Sequence, residues 1–355
     1  MAYTTIDDPS AYFQTLLYTG NASLTALTND GNSDLQPDLI WVKARANLGG
    51  YFDAIQDTSR GIDKILSVSQ TATELDTSEQ IKSVQSDGFT VGDNSDSNNY
   101  VNLNTYTYVA WQWKDNGGTT SSNTDGDVTT TVQANTTAGF SIMTYTGNNT
   151  GGSTVGHGLG AVPDMLIAKP RVGSKPWTVY HKDLGNTNSL NLNDQTASAD
   201  NASAWGDTTP SSSIVTLGNG DTNHTGTMVM YAFKSIQGYS KFGRYVGNGN
   251  ADGPFVYTGF KPAWVMLRNT INGEDWLIWD VKRDIANASG NPMTGRLKAN
   301  DTIAEVNGND IDFLSNGFKI RTDSGYGNGN GNTIIYMAFA HQPFVSSEGV
   351  PTTAR

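Results

Sequence analysis

The chain has 355 residues and no cysteine, which removes disulfide frameworks, thiolate metal sites and cysteine nucleophiles together. Its 22 Lys+Arg against 34 Asp+Glu leave a formal net charge of −12, which repels phosphate backbones and anionic headgroups, so neither nucleic-acid partners nor membrane insertion are expected. Only 16% of residues are charged while Gly reaches 39, a balance poor for helices and suited to short strands joined by tight turns.

The opening MAYTTIDDPS carries two aspartates and neither a basic nor an apolar signal region, so synthesis in the cytoplasm is expected. A turn of the form aromatic, small, Gly, Asn then recurs three times: YTGN at 18–21, YTGN at 145–148 and YVGN at 245–248. Each copy reaches a proline that starts an apolar run, PDLIWVK from Pro37, PDMLIAK from Pro163 and PAWVMLR from Pro262. An aromatic stands 14 residues after each proline, at Tyr51, Trp177 and Trp276. Copies one and three share the turns SDGF at 86–89 and SNGF at 315–318, and the second has the weaker SIVTLG from Ser213. All close on an alanine-centred run: TYVAWQW ending at Trp113, VMYAF at Phe233 and IYMAF at Phe339.

Runs of four to eight residues rich in Val, Ile, Tyr, Trp and Thr, bounded by Gly, Asn, Asp and Pro, are the signature of strands and turns. The best helix candidate, a turn or two at 78–83, could equally be loop. The pattern predicts an all-β protein of three tandem β-sandwich repeats, jelly-roll or lectin-like, over residues 1–114, 139–236 and 237–346, with a C-terminal tail at 347–355. Residues 115–138 carry almost no large apolar side chain and read as an extended polar linker, leaving the second and third repeats as a rigid pair.

Candidate chemistry is sparse. The four histidines, His157, His181, His224 and His341, do not recur between copies, and no GxSxG elbow occurs. The five glutamates, Glu74, Glu79, Glu274, Glu305 and Glu348, select no pair, and the nearest approach to a carboxylate and aromatic cleft is Asp275 and Asp280 around Trp276 and Trp279. No cofactor is expected except a possible Ca²⁺: Asn248, Asn250 and Asp252 imitate the first half of an EF-hand loop, whose twelfth position is here Gly259. The oxygen-rich stretches 93–99 and 221–223 share that reading, and in each case Asn and Asp capping their own turns is the competing one. Trp205 and Tyr326 are the aromatics expected on loops, where a ring could receive a sugar or simply anchor the loop.

Five stretches carry a family resemblance: TTIDDPSAYFQTLLYTGN at 4–21, HGLGAVPDMLIAK at 157–169, YSKFGRYVGNGNADGPFVYTGFKPAW at 239–264, IDFLSNGFKIR at 311–321 and YMAFAHQPF at 336–344. They resemble a repeated domain of virion proteins of marine bacteriophages, including cyanophages and pelagiphages. The resemblance implies a non-enzymatic structural protein on the virion surface, with other capsid or tail proteins as partners and host-surface glycan as a further one. It implies no catalytic residue. Because the first copy begins within about twenty residues and no heptads occur, a capsid decoration or knob is favoured over a tail fibre, with a glycan depolymerase as the minor alternative.

Overall fold

A computed structural model describes residues 3–46, 53–95, 100–271, 273–283 and 292–352. The chain is all-β, and every named strand pair in it is antiparallel. Its first segment contains β1 (Phe13–Thr19), β2 (Thr25–Leu27), β3 (Leu39–Ala44), β4 (Ala54–Asp57), β5 (Gly61–Leu66), β6 (Leu75–Asp76), β7 (Ile81–Gln85), β8 (Gly88–Val91) and β9 (Thr107–Trp113). They form one sheet in the order β1-β9-β3-β4-β5-β6 and a smaller one in the order β2-β8-β7. The helix candidate at 78–83 is a bend running into β7, since Ile81 is needed in the core beneath.

The second segment adds β10 (Ser121–Asn123), β11 (Thr130–Asn135), β12 (Phe140–Gly147), β13 (Thr154–Gly156), β14 (Met165–Pro170), β15 (Thr178–His181), β16 (Asn188–Asn191), β17 (Ala199–Asp200), the short helix α1 (Ala202–Trp205), β18 (Ile214–Thr216) and β19 (Gly226–Phe233). The third runs through β20 (Ser240–Val246), β21 (Phe255–Tyr257), β22 (Phe260–Asn269), β23 (Trp276–Asp280), β24 (Met293–Lys298), β25 (Val306–Leu314), β26 (Gly317–Ile320), α2 (Gly325–Asn328) and β27 (Thr333–Pro343). One neighbour order runs through all three large sheets: opening strand, closing strand, proline strand, and the two strands after it. Pro37 and Pro163 stand just ahead of β3 and β14, whereas Pro262 lies inside β22, where the ladder with β27 shifts register at that residue, as a missing N–H requires.

The proline strands read as nearly unbroken apolar runs because both of their faces are covered. In β3, Ile40 and Val42 pack with Phe89 and Val91 of the small sheet, while Leu39 and Trp41 point the other way into a cluster shared by all three segments. That central cluster holds six tryptophans, Trp41, Trp111, Trp113, Trp177, Trp264 and Trp276, all at most 4% exposed. Around it each segment touches both others. Lys43 Nζ donates to Asp301 O (2.6 Å), Lys169 Nζ to Thr71 O (3.1 Å) and Arg268 Nη2 to Thr196 O (2.5 Å), so first meets third, second meets first and third meets second. The expected rigid pair of second and third segments is therefore part of a closed arrangement.

Residues 115–138 are not an extended linker. They supply β10 and β11, which pair with each other and add to β12 at the edge of the second sheet. Polar side chains suit that place, since an edge strand needs backbone partners more than apolar faces, and the few apolar ones, Val132 and Ala138 with Val128 and Ala134 beside them, reach the core.

Candidate functional site

The recurring tyrosines fix the recurring turns. Tyr18, Tyr145 and Tyr245 donate their hydroxyls to Val101 O (2.6 Å), Thr222 O (2.5 Å) and Gly327 O (2.6 Å). Beside each, a buried asparagine, Asn102, Asn223 or Asn328, accepts from the backbone N–H of Asn21, Asn148 or Asn248 at 2.8 to 2.9 Å. Sequence reasoning missed these asparagines. Their signal is an offset alone, nine, eight and nine residues before Trp111, Tyr231 and Met337. Of the aromatics at the 14-residue offset, Tyr51 lies outside the described residues; Trp177 and Trp276 correspond closely. Each takes an asparagine Oδ1 on its backbone N–H, from Asn193 and Asn300, and each indole N–H donates at 2.8 Å to a carbonyl of the preceding segment, Ser67 O and Asn191 O.

This packing consumes the candidate chemistry. Asp280 is fully buried, accepts the Arg283 Nε at 2.6 Å, and takes the Trp111 indole N–H from the first segment at 3.0 Å. Asp275 is held by Lys298 (2.6 Å), Asn300 (2.8 Å) and Gln195 (2.6 Å); burial opposes its ionisation, but these partners keep its carboxyl below the usual range. Asp275 stands just before β23 and Asp280 ends it, so five residues of extended backbone, about 16 Å, separate their α-carbons. A glycosidase pair needs about 5 to 10 Å. Glu74 bridges Arg60 and Arg171, and Glu305 bridges Arg283 and Arg45, each joining two segments; Glu79 pairs with Lys82.

Two of the four histidines are equally committed. His157 is buried, its Nδ1 accepting from Leu159 N and its Nε2 facing Ser211 O, both at 3.2 Å. His181 accepts from Asp183 N at Nδ1 (3.2 Å), and burial pulls its pKa down to about 4, so it is neutral at pH 7. His224 is half-buried, and His341 lies exposed in a groove of about 230 Å³ between the first and third segments, beside the Lys282–Asp30 ion pair.

The expected calcium loop has another use for its oxygens. Asn248 Oδ1 accepts from Asn250 N (3.0 Å) and Asn328 Nδ2 (2.9 Å), Asn250 Oδ1 accepts from Asp252 N (2.9 Å), and Asp252 pairs with Lys319 at 2.8 Å. Turn capping, the competing reading, occupies these atoms. The stretch 221–223 likewise serves the turn through Asn223, and 96–99 of the stretch 93–99 lies outside the described residues. Trp205 is corrected as a sugar platform: it is 1% exposed on α1, edge-on to Tyr180 at 5.9 Å, inside the second segment's core. Tyr326 is pinned as a loop anchor, with its hydroxyl on Asp310 (2.8 Å) and one ring face under the Arg296 guanidinium (4.4 Å).

The exposed aromatics lie elsewhere, on β21. Phe255 and Tyr257 are 46% and 53% exposed, while Val256 between them faces the core, as strand alternation requires. Gly317 stands opposite Tyr257 in the ladder, and a Cβ there would meet Val256 O at 2.0 Å, so this crossing is bare of side chain. Tyr3 joins the group: its hydroxyl lies 3.1 Å from that of Tyr257 and donates to Gly259 O at 2.9 Å, and burial and the Tyr257 hydroxyl together raise its pKa well above the usual phenol range. Between these rings and the start of β20 is a hollow of about 310 Å³, lined also by Ser235, Gln237 and Lys241. A half-alternating FVY run beside a proline strand was the only signal in the sequence, and it reads first as an ordinary strand.

The family model that matches is described as a domain of unknown function, DUF7483, and it spans residues 8–343. No curated protein and no solved structure matches the chain. Since the match runs from before β1 to the last residue of β27, across all three segments, the chain belongs to the DUF7483 family.

Proposed function

We propose that the chain is three copies of one β-sandwich unit closed around a common core, and that it serves as a non-enzymatic structural protein on the surface of a bacteriophage virion, of capsid-decoration or knob type. The observation that carries the non-enzymatic reading is where the ionisable groups go. Asp280, Asp275, Glu74 and Glu305 are all held by cationic or amide partners, and each also takes a bond from a group of a neighbouring segment. Carboxylates held between cationic or amide partners across a segment junction are poorly placed to exchange protons with a substrate or to attack one. The virion placement is supported by the resemblance of the five quoted stretches.

Purified particles test it. The chain should be found in them by mass spectrometry, and particles from a deletion strain should lose surface density while purified protein leaves host polysaccharide intact. Absence from purified particles, or cleavage of polysaccharide by the protein, would overturn the reading. The exposed Tyr257 surface favours one second reading, a tail-fibre receptor-binding protein; labelling at the tail tip rather than over the capsid would select it.

A further inference from the structure

The hollow beside Tyr257 has a counterpart in the first segment, the groove lined by Ser10, Phe13, Gln14 and Asp30, but there no aromatic ring stands at the position of Tyr257. The turn glycines Gly88 and Gly317 place Leu27 and Val256 equivalently, because a Cβ on either would meet the facing carbonyl, Leu27 O or Val256 O, at 2.0 Å. The outward positions flanking them are Ala26 and Thr28 in the first segment, Thr154 and Gly156 in the second, and Phe255 and Tyr257 in the third. In the second segment this edge is also covered, since Val128 bridges to Val155 and Asp127 bonds Thr154. On the opening strands the corresponding residues are Gln14 and Ser141, both buried and hydrogen-bonded, and Lys241, which is half-buried and has no acidic partner among the described residues. The first and second segments carry small or neutral side chains at these positions, whereas the third carries two exposed rings and a cation with no acidic partner among the described residues, in a chain of net charge −12.

The geometry points to a binding site for an acidic oligosaccharide. A sugar ring would lie against Tyr257 with its C–H face on the aromatic surface, its hydroxyls would meet Gln237 and Ser235, and a uronic-acid carboxylate would meet Lys241. The volume of about 310 Å³ accommodates one or two sugar residues, and the open edge lets a longer chain pass. A peptide or second copy would be recognised chiefly by the free edge of β21, whereas the isolated lysine answers an anionic group. This assignment gives a ligand class to the adhesive part of the proposed virion role and rests on it for its biological setting.

Titration of the full-length protein with hexagalacturonate and with uncharged cellohexaose, followed by calorimetry, tests it. Wild-type protein should bind hexagalacturonate, and Tyr257→Ala should weaken that binding at least about tenfold. Lys241→Gln should erase the preference for the acidic over the neutral sugar. Both side chains are outside the core, and unchanged melting temperatures should show the variants folded. No binding by wild type, binding undiminished in both variants, or equal affinity for the two sugars would overturn the assignment, as would a dimer in sedimentation that Tyr257→Ala dissolves. Because the protein is assayed free of particles, failure here leaves the virion reading standing. Absence of the chain from particles would in turn leave the sugar site standing.

Discussion

The junctions between segments are built to one plan with different chemistry. Where the second segment meets the first, Glu74 joins Arg171 to Arg60, and where the first meets the third, Glu305 joins Arg45 to Arg283. In both, a backbone bond runs alongside, Glu74 N to Arg171 O (2.9 Å) and Glu305 N to Arg45 O (2.8 Å). Where the third meets the second, the same backbone bond is present, Ser198 N to Thr270 O (2.9 Å), but Ser198 and Thr270, which stand in the places of Glu74 and Arg171, are uncharged. The β-ladder end positions vary in the same way, with Asp57 and Asp280 on charged junctions and His181 on the neutral one. Backbone complementarity thus defines the junction, and ionic side chains are an addition whose cost of burial only good pairing offsets.

The largest effect should come from breaking a buried charged tie. Asp280→Ala leaves the fully buried Arg283 without its Nε partner and the Trp111 indole without an acceptor, so a loss of about 3 to 5 kcal/mol is expected in urea unfolding. Asp57→Ala should behave alike, since it strands Arg60 and the Tyr231 hydroxyl. His181→Ala, at the neutral junction, should cost distinctly less. Equal losses at all three positions would show that charge is not what separates the junctions.

A pH effect belongs to the chain's passage from first to second segment. Asp115 is buried with Oδ1 unpartnered among the described residues, and burial, reinforced by Asp38, pushes its pKa up to about 9. A carboxyl raised on folding binds more protons folded than unfolded, so its contribution is complete below about pH 4 and is lost as pH rises toward 9. Stability should therefore fall by up to about 1.4 kcal/mol per pH unit across neutrality from this group. Asp115→Asn should flatten that slope in melts between pH 6 and 8. A variant with the wild-type slope would place the titrating group elsewhere.

The turn asparagines test likeness rather than difference. Asn328→Ala removes bonds to Asn248 N, Asn248 Oδ1, Asn250 O and Thr322 O from a fully buried position, and a cost of about 2 kcal/mol is expected. Asn102→Ala and Asn223→Ala should match it to within about 1 kcal/mol, given the context dependence of such bonds. A spread wider than that would mean that the three turns, though similar in geometry, are supported differently.

These cases also show what could be read in the sequence. Strand and turn chemistry made the all-β character legible, and the proline runs and closing alanines located the sheet centres, because those signals are local. The closure of three segments was not legible: an indole N–H aimed at a carbonyl 85 or 110 residues away leaves no local trace. Residues 115–138 misled because polar composition distinguishes a core strand from solvent, not an edge strand from a linker. Trp205 misled for the converse reason, since a polar stretch can carry one apolar side chain inward on a single helical turn.

The smallest effect is expected at Arg268, where the neutral junction retains a charge. Its Nη2 reaches Thr196 O and its guanidinium lies 5.7 Å over Trp276, but Nε and Nη1 are buried without partners among the described residues, and burial pulls its pKa down to about 10. Lys169, in the corresponding place, satisfies its ammonium with two carbonyls, Thr71 O and Lys175 O. Arg268→Met keeps most of the side-chain volume and the contact with Trp276, removes a poorly satisfied buried charge and gives up one hydrogen bond. Those terms oppose each other at about 1 to 3 kcal/mol each, so the net change should stay within about 1 kcal/mol of wild type. Lys169→Met, which abandons two carbonyls, should cost more. A loss above about 2 kcal/mol for Arg268→Met would mean that Asp194, Asp275 and Glu274, whose charges favour the guanidinium, hold the neutral junction together after all.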